Sequence, residues 1–445
     1  MRIMPEDAAR TLLRCVESLA ARPEECARSP GRDFVRNRRL GLARLLLLLV
    51  CWGRDSAYAE LAELCGWDGE APSGPALTQQ WAKLNDLAMP ALLRAFLSCF
   101  EPRAFMGRYR LYAVDGTEWQ LLPGTGGDAC RVRNGKGGGR HSELHATCLF
   151  DVLRRTFEDM ECQGGAEENE PGALCALVDR LRPGRGLRAL VLADRNFCTW
   201  NVLGHLLGAG ASFCLRAKDG WAERLAGPDV PPDAEFDLVV ERCVMRTSRK
   251  SARGRPGEPW LYRTIRACRR FDALAPGSDG EWWCRLRVVR LRLPAHAGSR
   301  ARWLNLVTDL PASELDAGAL ADLYARRWGQ ETGFLHLKHA VGLDAPRTRD
   351  YARAVQELWG RLVLYDACSL GTSGVPEPAP GPKRLRATDR TAAFKAFMRM
   401  LRDLVRARRL DVAAFAARHA HSVRPGRSHE RRKRPKSPPK SCGRH

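Results

Sequence analysis

Six side chains stand out for the chemistry they could do together: Asp115, Asp194, Tyr324, Arg327, Glu331 and Lys338. Asp115 closes the alternating run "RYRLYAVD" and Asp194 closes the apolar run "LRALVLAD". Both runs read as β-strands, and an open α/β sheet presents its ligands at the carboxyl ends of parallel strands. Two aspartates on neighbouring strand ends, joined by an acidic residue from a crossing helix, make an all-oxygen donor set. Such a set suits hard divalent cations, here two Mg2+ ions with Mn2+ as an alternative. A pair of such ions about 4 Å apart activates water and stabilises the leaving oxygen of an in-line displacement at phosphorus. The chemistry indicated is phosphodiester cleavage.

The third acid comes from "LYARRWGQETGFLHLKHAVGLD". On a helical wheel with Tyr324 at zero, Arg327 falls at about 300°, Glu331 at about 340° and Lys338 at about 320°. Leu320, Phe334, Leu335 and Trp328 lie on or beside that stripe, whereas Thr332, His336, Asp322, Arg326 and Gln330 occupy the other half. The charged residues therefore share the face that packing should bury. Glu331 is placed to complete the metal set. Arg327 and Lys338 would face the phosphates beside the cleaved bond, with Tyr324 stacking or donating a hydrogen bond. Gly329 and Gly333 each weaken a helix by about 1 kcal/mol, a cost that is tolerable where DNA or another backbone comes close and that otherwise only loosens the helix.

Around these residues the text divides into elements. A basic, helical pattern runs over 1–104, including "LLLLLVCW", which is far short of a membrane span and reads as a buried helix. Strands ending at Asp115, then "SELHATCLFDV" and "RRTFEDMEC", predict an antiparallel meander, with Asp115-Gly116 as a turn. A helix around Ala173–Leu181, the strand before Asp194, the helix "TWNVLGHLLGAG" and "SFCLRAK" complete a β-α-β unit. A β-rich insertion occupies 221–310, and Ser313 with Asp316 resembles a capping box before the Glu331 helix. The predicted organisation is a helical DNA-binding domain over 1–104 and a catalytic core in two parts, 105–220 and 311–371, flanking that insertion. A linker, a basic helical segment and a basic tail from Arg424 fill 372–445.

Charge names the partner class. The 445 residues carry 73 Lys+Arg against 51 Asp+Glu, a net charge of +22, and the pI is about 9.8. That balance points to a polyanion, nucleic acid before an anionic membrane surface. The sixteen cysteines form no C-x-x-C pair and accompany no secretory signal, so they read as reduced thiols of a cytoplasmic protein.

Tyr324, Arg327, Glu331 and Lys338, spaced Y-x2-R-x3-E-x6-K, resemble the signature of the IS4 family of bacterial insertion-sequence transposases, which belong to the DDE group. "VDGTEWQLLPGT" and "LADRNF" look like its first and second catalytic segments, and both ends of the chain are similar to the family as well. The resemblance implies a ribonuclease-H-like mixed α/β sheet flanked by helices and interrupted by a β insertion. It also implies catalysis by Asp115, Asp194 and Glu331, and a homodimer holding two element ends of double-stranded DNA before joining them to target DNA. An aromatic residue of the insertion, Trp282, Trp283 or Trp303, would stack on a flipped base. Action at the nucleoid, with no membrane association, follows. The chain departs from the family at Gly124, where a further acid is common, and in its glycine-rich "GKGGGR".

Blander readings exist for each feature. Asp115-Gly116 is a common turn dipeptide, Asp194-Arg195 could be a strand-end ion pair, and Arg327 with Glu331 an ordinary i, i+4 pair on a solvated face. His141 with His145, and His336 with His339, lack a nearby Cys or third ligand and read as surface histidines. For the whole chain the rivals are a catalytically silent, transposase-derived DNA-binding protein and a stand-alone nuclease that cuts without joining.

Overall fold

Apolar residues at helical spacing build the first layer. It comprises α1 (Pro5–Ala20), α2 (Pro23–Cys26), α3 (Leu42–Cys51), α4 (Ala57–Cys65), α5 (Gly74–Trp81) and α6 (Ala88–Ser98). Pro5 opens α1 where its missing N–H costs nothing, and Glu6 and Asp7 face the positive helix end. The Leu-rich run is α3, buried through Leu45, Leu46, Leu48, Leu49 and Val50. No helix among the described residues is long and apolar enough to cross a membrane. The computed structural model describes residues 3–405 and 421–422, except 37, 54–55, 66–71, 134–137, 185, 232, 247–261, 267–268, 277, 294–302, 344–345 and 377–385. The basic tail from Arg424, most of the linker and part of "GKGGGR" lie outside them.

The second layer is a ten-stranded mixed sheet. Strands β1 (Tyr109–Gln120), β2 (Arg131–Arg133), β3 (Arg140–Asp151) and β4 (Thr156–Gly164) come first. β3 pairs antiparallel with β1, β2 and β4. After helix α7 (Glu170–Asp179), β5 (Arg188–Ala193) returns parallel to β1; after α8 (Trp200–Gly208), β6 (Ser212–Arg216) lies parallel to β5. The order β4-β3-β1-β5-β6 is a ribonuclease-H-like arrangement. β5 is buried on both faces from Ala189 to Ala193, as its unbroken apolar run requires.

Beyond α9 (Asp219–Ala226) the β-rich text joins the same sheet. It forms β7 (Phe236–Met245), β8 (Tyr262–Thr264), β9 (Glu281–Arg292) and β10 (Trp303–Thr308). β10 pairs antiparallel with β6 and carries β9, β7 and β8 outward in that order.

The chain then returns to the core through α10 (Ala317–Ala325), α11 (Trp328–His336), α12 (Tyr351–Thr372) and α13 (Arg390–Val405). Asp316, expected as the acidic member of a box led by Ser313, is itself the N-cap of α10 and accepts from the Ala319 N–H at 2.8 Å. Helix α12 is buried on every side, packed against α1, α3, α6 and α13. One apolar cluster joins those helices to the face of β1 and β3 that carries Trp119, Leu144, Ala146, Cys148 and Phe150. The opposite face packs on α7 and α8.

Two local expectations change. β1 does not stop at Asp115 but continues to Gln120, because β3 pairs with it from Tyr112–Asp151 through Gln120–Glu143. The predicted single helix around Arg327 is two. The backbone tightens at Arg326–Gln330, where each N–H bonds to the carbonyl three residues back for Arg326, Arg327, Gly329 and Gln330. A tightened turn advances about 20° more per residue than an α-helix. Gln330 is thereby carried from the predicted outer half into the core, fully buried with its Nε2 donating to the Cys148 carbonyl at 2.9 Å. Trp328 and Leu335 rotate outward and are exposed.

Candidate active site

The register of β1 and β5 sets two carboxylates side by side. Their parallel pairing ends at Val114–Ala193, so Asp115 and Asp194 are the next residue on each neighbouring strand. Asp194 opens a tight turn in which its Oδ1 accepts from the Asn196 N–H at 2.7 Å and its carbonyl from the Phe197 N–H at 3.2 Å. Among the described residues Asp194 makes no ion pair with Arg195. Asp115 accepts from the Gly116 N–H at 3.0 Å. Burial pushes the Asp115 carboxyl up to about 6; Arg327 and the Gly116 N–H oppose this, while the charges of Asp194 and Glu331 add to it. The three acids therefore share one electrostatic neighbourhood.

Arg327 stands between two of them. Its Nη1 lies 3.4 Å from Asp115 Oδ2 and its Nη2 3.4 Å from Glu331 Oε1. The i, i+4 pair is real, but it is not a solvated one: the Arg327 side chain is only 7% exposed and lies 5.0 Å from the Trp328 ring centroid. Tyr324 is buried beneath the same guanidinium, 5.9 Å from its ring centroid, so it supports Arg327 instead of presenting a face to solvent. Burial raises the Tyr324 phenol above its ordinary range. Lys338 falls on the wider turn Leu337–Gly342 after α11, exposed, and close enough to influence Cys148, the residue opposite Asp115 on β3.

The glycines resolve differently. A Cβ on Gly333 would come within 2.9 Å of the Phe150 ring and 3.3 Å of the Tyr365 hydroxyl, so this glycine lets α11 settle onto the core. Gly329 meets only Val152 at ordinary contact. Gly116 is neither a turn residue nor a spacer: a Cβ there would lie 2.2 Å from Glu170 Oε1 and 2.4 Å from His145 Nε2.

That contact reveals a group missed in the sequence. His145, expected at the surface, is 5% exposed, with Nε2 3.3 Å from Glu170 Oε1 and Nδ1 3.7 Å from Glu168 Oε1. Burial disfavours its charge, yet the two glutamates overcome this and hold its pKa above the ordinary value. Among the described residues these three alone bring metal-ligand atoms within 4.8 Å of one another. Asp115, Asp194 and Glu331 are not drawn that close; the charge that Asp115 and Glu331 share is the Arg327 guanidinium. The one sequence signal was Asp-Gly inside a strand, where glycine often marks a close approach.

The three acids nevertheless fit a hard divalent cation. They offer only oxygen donors, two of them just past the end of the parallel β1–β5 pairing and the third from α11, and the burial and mutual repulsion that raise Asp115 are what a cation relieves. Of the three tryptophans, Trp282 packs edge-on against Phe271 at 5.4 Å and Trp303 is buried below Arg290 and Arg292. Trp283 is 42% exposed. The thirteen described cysteines form no disulfide.

A family model described as "Transposase DDE domain" matches residues 106–366, more than half of the chain. No curated protein matches. Among solved structures, the chain is similar to one in the cryo-EM structure of a piggyBac transposase synaptic complex with hairpin DNA. The TM-score is 0.45 and the identity 12%, over 91% of this chain and 80% of that one.

Proposed function

The chain belongs to the transposase DDE domain family, and we propose on that footing that it is an insertion-sequence transposase of the IS4 kind. In this reading it binds the terminal inverted repeats of its own element as a homodimer, in the bacterial cytoplasm. It cuts the ends and transfers the 3′-OH strands to target DNA. The observation that carries the reading is the register of β1 and β5, which ends with Asp115 beside Asp194, under a helix that brings Glu331 and Arg327 to the same edge.

Asp115, Asp194 and Glu331 would hold Mg2+ or Mn2+. Bound divalent cations supply the Lewis acidity that in-line displacement at phosphorus needs. Arg327, positioned by Tyr324 and Trp328, is freed to meet phosphate once its two carboxylates have another positive partner. Lys338 adds an exposed point charge on the same side of β3. Trp283, as the exposed aromatic of the three, is the favoured stacking residue for a displaced base.

The test is purified protein with labelled element ends and Mg2+. Glu331→Ala should lower end cleavage by at least about 10^3-fold, some 4 kcal/mol of transition-state stabilisation, with end binding retained. Normal end binding without cleavage by the unaltered protein would favour the silent DNA-binding rival, and cleavage without joining the nuclease. Loss of binding in Glu331→Ala would overturn the role given to Glu331.

A further inference from the structure

One polar chain runs from the turn at Asp194 to the strand that carries Asp115. Asp194 Oδ1 accepts from the Asn196 N–H at 2.7 Å, and the Asn196 Nδ2 donates to Glu170 Oε2 at 2.7 Å. The other oxygen of Glu170 lies 3.3 Å from His145 Nε2. His145 is fixed on β3 opposite Glu118 of β1, and the Glu170–His145 pair fills the space that a side chain at Gly116 would take. Glu170 itself is pinned as the first residue of α7, behind the N-cap Asn169. Each link belongs to a different element: the β5–α8 turn, α7, β3 and β1.

We propose that Asn196, Glu170 and His145 are positioning residues that set the Asp194 carboxylate relative to Asp115. The proposal rests on the reading of those aspartates as the cation-holding pair. Two carboxylates from separate strands bind one cation set only if their spacing is held, and bare carboxylates repel. Without the chain, the Asp194 side chain would keep one backbone hydrogen bond and the freedom of an exposed turn. Gly116 is required because the anchor passes directly behind Asp115. Nothing in the arrangement needs Asn196, Glu170 or His145 to touch DNA or cation.

The experiment uses the full chain, element ends and Mg2+ alone, a hard ion for which imidazole is a poor ligand. Asn196→Ala and Glu170→Ala should raise the half-activating Mg2+ concentration by about tenfold or more, the usual scale for groups that orient a metal ligand. They should also lose most of the Mg2+-induced rise in unfolding temperature while end binding stays near that of the parent. Metal-free unfolding should stay near the parent in Asn196→Ala, whereas Glu170→Ala, which strands the buried His145, should lower it. Glu170→Gln keeps an oxygen for Asn196 and should recover most of both readouts. Parent-like Mg2+ dependence in Asn196→Ala and Glu170→Ala, or a Glu170→Gln variant as impaired as Glu170→Ala, would overturn the proposal. Should Glu170→Ala fail to fold, Asn196→Ala against Glu170→Gln decides the matter. Asp194→Asn, assayed alongside, separates the layers: undiminished cutting there defeats the reading of Asp194 itself. Lost cutting there beside an unaffected Asn196→Ala defeats only the positioning chain.

Discussion

Strand β1 carries two charged clusters five residues apart, and they are built in opposite ways. At Arg110 the cluster is closed. Its Nε lies 2.8 Å from Asp151 Oδ2 and its Nη2 2.6 Å from Glu158. Asp151 is fully buried and also accepts from the Leu153 and Arg154 N–H groups at 3.0 and 2.8 Å. At Asp115 the bonds are long, both arms of Arg327 reaching 3.4 Å, and the carboxylates are about a quarter exposed. One arginine serves two acids in each case. The first cluster is buried and its ion pairs are short; the second is held apart at distances a competing cation or phosphate can rearrange. The two clusters thus differ in how short their ion pairs are and how deeply they are buried, not in which charges are present.

The comparison breaks first at Asp151. Asp151→Ala leaves a buried guanidinium short of a partner and should cost about 3–5 kcal/mol in denaturant unfolding. Asp115→Asn should do the reverse. Because burial holds the Asp115 carboxyl at about 6 when folded, against about 3.9 for an unperturbed aspartate, the folded protein binds more protons between those values. That contribution to stability is present below about pH 4 and is lost as pH rises through about 6. An asparagine removes the loss, so Asp115→Asn should be more stable than the parent above pH 6, by at most about 3 kcal/mol. A pH series of unfolding midpoints checks this. Equal destabilisation by both variants would show that the two clusters are the same kind of object.

The sequence carried the fold through its apolar runs. The unbroken "ALVLA" of β5 demanded a central strand, and the spacing of helices around it demanded parallel partners. What it could not carry was set by contacts distant along the chain. Asp115-Gly116 has the composition of a turn, yet the glycine answers to His145 and Glu170 on other elements. Gln330 crossed from the outer to the inner face because four hydrogen bonds tightened one turn, a change no periodic template contains. Asp115 and Asp194 are neighbours because the parallel pairing of β1 and β5 ends at Val114–Ala193, although β1 itself runs on to Gln120, which the strand end expected at Asp115 did not show. The chain through Asn196, Glu170 and His145 joins residues whose spacing along the text carries no motif.

The smallest expected effect gives the finest discrimination. If Arg327 is a placeholder between Asp115 and Glu331, then Arg327→Gln should cost less metal-free stability than Asp151→Ala, since both its carboxylate contacts are long, at 3.4 Å, and those carboxylates are about a quarter exposed. Removing the guanidinium also removes the charge that opposes the upward push on Asp115, so that carboxyl should titrate higher still, observable by carbon-13 NMR of the side chain. The competing positive charge is gone as well. Above the Asp115 titration, Mg2+ alone should therefore raise the unfolding temperature of Arg327→Gln more than that of the parent, by the equivalent of up to about fivefold in affinity. Cutting should nonetheless slow, because the phosphate loses its guanidinium partner. A structural ion pair like that of Arg110 predicts the opposite pattern: a large stability loss and no gain in cation binding. Tighter binding of Mg2+ joined to slower cutting is a combination that only an exchangeable arginine produces.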